Sequence, residues 1–100
     1  MSNPNERPAL GAETVLEITR HFRLQWEPAQ QAHVLLYPEG MVKLSGSAGE
    51  ILKRIDGASS IDAIVKNLEQ AFPGADLRPD VLSFLETAYG QGWIRPKHAA

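Results

Sequence analysis

Side chains that commonly carry out catalysis or bind metals are sparse in this sequence. The three histidines are His21, His33 and His98, and they form no HxxxH, HxH or HExxH spacing. No serine stands in a GxSxG elbow, and the absence of cysteine excludes thiolate catalysis, disulfides and iron–sulfur clusters. We therefore predict a binding domain rather than an enzyme, with no metal and no cofactor.

Composition limits the classes of partner. The chain has 100 residues, enough for one domain, and its hydrophobic fraction of 43% can fill one modest core. The formal net charge of −2 argues against nucleic acid, because phosphate binding normally needs a surplus of Lys and Arg. Residues 1–11 contain no apolar signal segment, and no apolar run approaches the roughly 20 residues that span a bilayer. We expect a cytoplasmic protein that does not engage a membrane.

Three strands are predicted in the first half of the chain. Residues 22–27 alternate Phe, Leu and Trp with polar residues, which is typical of a strand with one buried face. Residues 33–37 (HVLLY) form an apolar run typical of a central strand, and residues 41–44 (MVKL) return antiparallel to it. In the intervening turn, we expect Pro38 to set the first corner and Gly40 to take a positive φ.

The first helix is predicted to begin at Ser47, because Ser47 and Glu50 match the S-x-x-E capping box. Gly46 and Gly49 superficially resemble a phosphate-binding loop, but GxxxxGKS/T and GxGxxG are both absent. A capped helix start is therefore the favoured interpretation, and Gly57 is expected to end the helix.

Two more helices are predicted. The serine pair at 59–60 offers an N-cap, and residues 73–74 (Pro-Gly) interrupt the second helix. Its apolar residues recur at helical spacing: Ile61, Ile64, Val65, Leu68 and Phe72. Pro79 suits the first turn of the third helix, which should run through Tyr89 and end near one of the glycines at 90 or 92.

These elements predict an α+β fold, a small winged helix-turn-helix-like domain with a three-stranded antiparallel sheet followed by three helices. The domain is expected to cover residues 13–95, between a flexible N-terminal tail at 1–12 and a C-terminal tail at 96–100. Residues 13–20 suit a short helix or a strand equally. Residues 93–94 (Trp-Ile) are expected to form a short closing segment.

The third predicted helix is apolar over a wide arc. Its apolar residues cover about 160° of the circumference, whereas packing on a small sheet needs about 100°. They are Val81, Leu82, Phe84, Leu85, Ala88 and Tyr89. The surplus predicts either a broad core contact or one wall of a groove. The polar residues within this helix include two carboxylates and no base, which disfavours the alternative function of a DNA-binding winged-helix regulator.

The strand at 41–44 is an edge if the sheet is a simple meander, and its free N–H and C=O groups can then pair with another strand. We expect Lys43 to face water, so Met41 on the same face is an exposed apolar residue. An edge beside a wide apolar helix is typical of domains that capture an extended peptide by strand addition. If the Val42 N–H points outward, Val42→Pro should abolish that binding. The alternative is a structural or oligomerisation module that forms a homodimer through the same edge.

Several segments of the chain carry a resemblance to a known family. The most specific is HVLLYPEGMVKL at 33–44, and the others are SAGEIL at 47–52, DG at 56–57, DV at 80–81, FL at 84–85 and GWI at 92–94. Together they resemble the coenzyme PQQ synthesis protein D family, the prototype of the RiPP recognition elements. The resemblance runs from about residue 22 to residue 94.

This resemblance implies a peptide chaperone of pyrroloquinoline quinone (PQQ) biosynthesis. Members bind the leader of a ribosomally made precursor peptide, the PQQ precursor peptide, and present it to the radical S-adenosylmethionine (SAM) enzyme of the pathway. In this family, the leader docks as an added strand between the third strand and the third helix. Carried over by position, the walls of the peptide-binding site are Met41, Val42, Lys43 and Leu44 opposite Val81, Leu82, Leu85 and Tyr89.

Overall fold

The computed structural model describes residues 9–97. In chain order the elements are β1 (Leu16–Ile18), β2 (Arg23–Glu27), β3 (Ala32–Tyr37), β4 (Gly40–Lys43), α1 (Gly46–Leu52), α2 (Ile61–Ala71), α3 (Arg78–Gly90) and β5 (Ile94–Pro96). β2, β3 and β4 form an antiparallel meander, and β1 pairs with β5 in a separate two-stranded sheet. The predicted α+β fold, with three antiparallel strands followed by three helices, is confirmed.

The central strand β3 is buried on both faces, as its continuous apolar run predicts. Leu35 belongs to the main core with residues of all three helices, whereas Val34 is buried on the opposite face, outside that cluster. α1 approaches β3 closely because Gly49 has no side chain: a Cβ atom there would lie 2.6 Å from His33 Nδ1. Gly49 is therefore explained by packing rather than by phosphate binding.

The predicted bounds of α1 are wrong at both ends. Ser45, which has an extended backbone where β4 ends, is the N-cap, and its Oγ accepts from the Ala48 N–H at 3.2 Å. The S-x-x-E pattern at Ser47 is not used, because the Glu50 carboxylate lies against basic side chains one turn further on. The helix ends at Leu52, and Gly57 occupies a later turn with φ of +75°.

The turn between β3 and β4 also differs from the prediction. Gly40 is not among the glycines of positive φ in residues 9–97. A Cβ at Gly40 would instead lie 3.4 Å from the Tyr37 hydroxyl oxygen, so the residue is small where the two strands close on the tyrosine ring.

The first turn of α2 is capped by its own serine and by the N-terminal segment. Ser60 is the N-cap, which confirms one of the two predicted positions, and its Oγ accepts from the Ala63 N–H at 3.1 Å. The carbonyl oxygens of Thr14 and Ala12 accept from the N–H groups of Ile61 and Asp62, both at 2.9 Å. Donors that a helix start normally leaves unpaired are thus satisfied by tertiary contacts.

The predicted third helix is confirmed, with Pro79 in its first turn and its end at Gly90. The predicted tails fall partly on residues 1–8 and 98–100, which lie outside the described residues. Leu10 packs against the core, so contacts with the domain already begin within the predicted N-terminal tail. The division at residues 12 and 95 stays a prediction.

The pairing of β1 with β5 was not predicted. Leu16 stands opposite Pro96 and Ile18 opposite Ile94, which resolves the ambiguous segment at 13–20 as a strand. An ion pair of 2.6 Å between Glu17 Oε2 and Arg95 Nε adds to this contact. None of the helices in residues 9–97 is long and apolar enough to cross a membrane.

The reassigned helix cap yields a paired test. Ser45→Ala should lower the free energy of unfolding by about 1 kcal/mol, the usual cost of removing a serine N-cap. Ser47→Ala, two residues away and inside the helix, should change it by less than about 0.5 kcal/mol. Urea unfolding followed by circular dichroism measures both. A larger loss of stability in Ser47→Ala than in Ser45→Ala would show that Ser47 caps the helix after all.

Candidate functional site

The register of β3 and β4 determines which backbone groups of β4 are free. The Leu44 N–H donates to the His33 carbonyl oxygen at 3.0 Å, and Leu35 stands opposite Val42. Hydrogen-bonded and non-hydrogen-bonded pairs alternate along an antiparallel ladder. Val42 therefore bonds to β3, whereas the N–H and C=O groups of Met41 and Lys43 point away from it. Among residues 9–97 no strand covers that outer side.

The condition behind the proposed proline substitution at Val42 is therefore not met. The Val42 N–H points toward β3, so a proline there would break the sheet itself rather than the free edge. The prediction that Met41 is an exposed apolar residue on the face of Lys43 is confirmed, since Met41 is 52% exposed. The free edge of β4 thus consists of four backbone groups on Met41 and Lys43.

An apolar groove of about 690 Å³ lies between the three helices. This volume falls within the range of small-ligand sites, roughly 300–1,000 Å³. The lining residues are Gly46, Ser47, Ala48, Glu50, Ile51, Leu68, Phe72, Leu77, Asp80, Val81 and Phe84. We refer to this feature as the interhelical groove. Gly46 follows Lys43 by three residues, so the groove begins within about 11 Å of chain from the free edge of β4.

The predicted site residues on α3 do not form one surface. Val81 lines the interhelical groove, but Leu85 is fully buried in the core and Tyr89 is also buried. Leu82 is 38% exposed on the other flank of the helix, about 160° around the axis from Phe84. Contact between these predicted α3 residues and a ligand stays a prediction.

The predicted site residues on the sheet side have different surroundings. Met41 and Lys43 are exposed, and Val42 packs partly buried against the core. Leu44 is buried within the core cluster and follows the last residue of β4. Only Met41 and Lys43 combine an open side chain with free backbone groups.

Several residues of the interhelical groove were absent from the predicted site. Phe72 is 46% exposed even though it continues the apolar stripe of α2, because it is the C-cap residue beyond the last helical turn. Leu77, the N-cap residue of α3, lies one turn before Val81, and Phe84 lies one turn after it. The sequence signal was the wide apolar arc of α3, which left a broad core contact and a groove wall as alternatives.

Two carboxylates lie at the interhelical groove, and their electrostatic surroundings differ. Glu50 Oε1 contacts Arg54 at 2.8 Å and Lys53 at 3.2 Å. The hydrogen bond from Arg54 is the main cause that holds the pKa of Glu50 below its ordinary value, with Lys53 adding to it. Asp80 takes part in none of the ion pairs of residues 9–97. The groove is therefore apolar with one uncompensated negative charge.

The pair between Arg78 and Asp62 joins the start of α3 to the start of α2. The distance from Arg78 Nη2 to Asp62 Oδ1 is 2.7 Å, and Lys66 approaches the other carboxylate oxygen at 3.0 Å. The hydrogen bond from Arg78, followed by that from Lys66, lowers the pKa of Asp62. This contact helps to fix the relative position of two helices that line the interhelical groove.

Within residues 9–97 there is no group of three His, Cys, Asp or Glu side chains that could hold a metal ion. The exposed side chains of α3 beyond its first turn are Leu82, Ser83, Glu86 and Thr87, which include a carboxylate and no base. Fold and site define a small winged-helix-like domain with an open strand edge on its sheet and an apolar groove between its helices.

Comparison with known proteins supplies the family. The model of coenzyme PQQ synthesis protein D (PqqD) matches residues 32–94, which is more than half of the chain. The chain belongs to this PqqD family.

Relatives and a solved structure agree with that assignment. The PqqA binding protein of Pseudomonas paraeruginosa is 54% identical over 88 residues, which cover 87% of this chain and 94% of that protein. The PqqA binding protein of Azotobacter vinelandii is 57% identical over 79 residues, covering 78% and 86%.

The solution NMR structure of the PqqD truncation of Methylobacterium extorquens PqqCD has a TM-score of 0.72 and 26% identity to this chain. The match covers 87% of this chain and 95% of that one. The truncation is described as a functional and stand-alone RiPP recognition element.

The ion pair between Asp62 and Arg78 makes the free energy of unfolding depend on pH in the acid range. The folded-state pKa of Asp62 is lowered, so its contribution is complete above the unfolded value of about 3.9 and is lost as the pH falls through the folded pKa. Asp62→Asn should therefore destabilise the protein at pH 6 and make little difference near pH 2. Urea unfolding of both proteins at the two pH values measures this. Equal differences at both pH values would contradict the assignment.

Proposed function

We propose that this chain binds PqqA, the precursor peptide of PQQ, as an added strand on β4 and presents it to the radical SAM enzyme of the pathway. The observation that carries the proposal is the free edge of Met41 and Lys43, which is followed after three residues of chain by Gly46 of the interhelical groove. The name PqqA binding protein given to the relatives supplies the peptide. The resemblance to RiPP recognition elements supplies the radical SAM partner.

The register defines the form of the complex. An added strand pairs with the N–H and C=O groups of Met41 and Lys43, so two of its residues, spaced by two, form the ladder. Its side chains then alternate between the two faces of the sheet. One set lies beside Met41 and Lys43 on the outer face, and the other set points to the helix side, toward the interhelical groove.

The division of binding energy follows from these contacts. Each new backbone hydrogen bond contributes about 0.5–1.5 kcal/mol net, and the backbone is the same for any peptide. An apolar side chain that becomes buried contributes about 1.5–3 kcal/mol and depends on its identity. The edge therefore orients the peptide, while the groove selects it. The chemistry is left to the partner enzyme, and this chain acts by binding.

The charge of the exposed surface weighs against the DNA-binding alternative. Arg78 at the start of α3 already pairs with Asp62, and Asp80 and Glu86 are the charged groups that remain exposed on that helix. A recognition helix of this composition would repel the phosphate backbone.

A proline at the outward-facing position tests the strand addition. Lys43→Pro removes one N–H of the free edge without removing a hydrogen bond to β3, so the fold should persist while PqqA binding weakens at least about tenfold. Binding is measured by titration of ¹⁵N-labelled protein with PqqA, and folding by the dispersion of the same spectra.

Two variants serve as controls for this proline. Lys43→Ala keeps the N–H and should bind nearly as well as the unchanged protein. Val42→Pro removes a hydrogen bond to β3 and should unfold or loosen the sheet. A folded Lys43→Pro protein with unchanged PqqA affinity would rule out pairing at this edge.

A second pair of variants identifies the flank of α3 that receives the peptide. Phe72 and Leu82 are both substantially exposed, so truncating either one should disturb the core little. If the interhelical groove takes the apolar side chains, Phe72→Ala should weaken PqqA binding several-fold and Leu82→Ala should not. The opposite result would move the site to the predicted wall at Leu82 and leave the strand addition intact.

A further inference from the structure

The sheet has a second free edge on β2. Because Leu35 bonds to β4, its neighbours Val34 and Leu36 bond to β2, where they stand opposite Gln25 and Arg23. The alternate residues of β2, Leu24 and Trp26, therefore direct their N–H and C=O groups away from the sheet. Among residues 9–97 no strand pairs with this side of β2.

The sequence of this edge is complementary to itself. β2 reads Arg-Leu-Gln-Trp-Glu, with Gln25 at its centre. If two copies pair antiparallel about a twofold axis at Gln25, Leu24 of each copy stands opposite Trp26 of the other. These are the residues with outward backbone groups, so the same axis forms two hydrogen-bonded pairs and four new hydrogen bonds.

The charges at the ends of β2 fit the same axis. Pairing about Gln25 places Arg23 of each copy opposite Glu27 of the other, so two pairs of opposite charge form. Within residues 9–97 neither side chain takes part in an ion pair. The Glu27 carboxylate accepts one long hydrogen bond, from the Ala29 N–H at 3.4 Å. Cross-strand pairs of opposite charge stabilise a sheet, and like charges destabilise it.

Trp26 is the apolar element of this edge. Its ring packs edge-on against His33, with centroids 5.0 Å apart, yet 51% of the residue remains exposed. In the twofold pairing this exposed surface lies beside Leu24 of the second copy, on the same face of the extended sheet. An aromatic–aliphatic pair at directly opposite positions is a favourable cross-strand contact.

The other edge lacks this complementarity. A twofold pairing of β4 through its outward residues would place Met41 opposite Lys43 and would form no pair of opposite charge. A mixed pairing of β2 with β4 would leave Arg23 and Glu27 without opposite charges and would not close on itself. The occupant that suits β2 is therefore a second copy of the same edge.

We propose that two copies of this chain associate through β2, about a twofold axis at Gln25, to form one six-stranded sheet. Five residues a side bury less than a standard interface of about 800 Å² per partner, so the association is weak and reversible. β4 stays open at both ends of the joined sheet. This inference is independent of the proposed function, since it involves neither β4 nor the interhelical groove.

Sedimentation equilibrium from about 10 μM to about 1 mM tests this association. The unchanged protein should show a rising average mass that approaches a dimer. Arg23→Glu and Glu27→Arg each place like charges opposite each other twice and should weaken association about tenfold. Circular dichroism should show all variants folded, because both side chains lie at a sheet edge.

The double variant Arg23→Glu with Glu27→Arg restores the opposite charges and should restore the association. A monomeric unchanged protein over the whole range would overturn the proposal. So would single variants that associate normally, or a double variant that stays monomeric. A dimer that dissociates when saturating PqqA is added would place the second copy on β4 instead. Weak or absent PqqA binding with an intact dimer would count against the proposed function alone.

Discussion

The hydrogen bond from the Leu44 N–H to the His33 carbonyl oxygen sets the phase of the whole three-stranded sheet. Once that bond is formed, each residue of β3 is directed to one neighbour: His33 and Leu35 to β4, Val34 and Leu36 to β2. The backbone N–H and C=O groups of these four residues are therefore all used within the sheet. The free groups of the sheet are therefore located on four residues of its two edges, and a shift of one residue would exchange every one of them.

The same strand also fixes the sheet to the helices. The His33 side chain fills the space that Gly49 leaves on α1, and Leu35 enters the core formed with the helices. α1 follows β4 after only two residues, so its position depends on where β4 ends. Ser45 serves this junction because its extended backbone ends the strand segment while its hydroxyl caps the helix. Sheet register and groove geometry are thus linked through a short connection.

Much of the fold could be predicted from the sequence because local patterns determine it. The period of two in residues 22–27 and the apolar run in 33–37 led to the correct strands, and Pro79 marked the start of α3 correctly. β1 and β5 could not be found in this way, because each has three residues and their pairing joins Leu16 to Pro96 across nearly the whole chain. The cap at Ser45 was missed because Ser47 matched the local motif better.

The exposed edge of β4 was predictable from the sequence, whereas the direction of its backbone groups was not, and the reason is geometric. Alternation of side chains indicates which face of a strand is buried, but hydrogen bonding alternates along the strand toward its two edges, and its phase is set by the partner. The exposure of Met41 was therefore predictable, whereas the inward direction of the Val42 N–H required the register. Likewise, the apolar arc of α3 was consistent with a broad core contact or with a groove wall, and only the fold shows that Phe72 at the C-cap of α2 lines a groove with it.

The two free edges would attract further sheet growth if they were alike, since open edges favour aggregation. They differ in charge: β4 presents a single lysine, while β2 presents Arg23 and Glu27 on either side of Gln25. A second copy would meet opposite charges at β2, whereas at β4 its Met41 would stand opposite Lys43 and no pair of opposite charge would form. In the proposed pairing, joining two β2 edges would use the self-complementary strand and leave β4 edges outside, so growth would stop at two copies. The remaining edge is then open to a peptide with a different sequence.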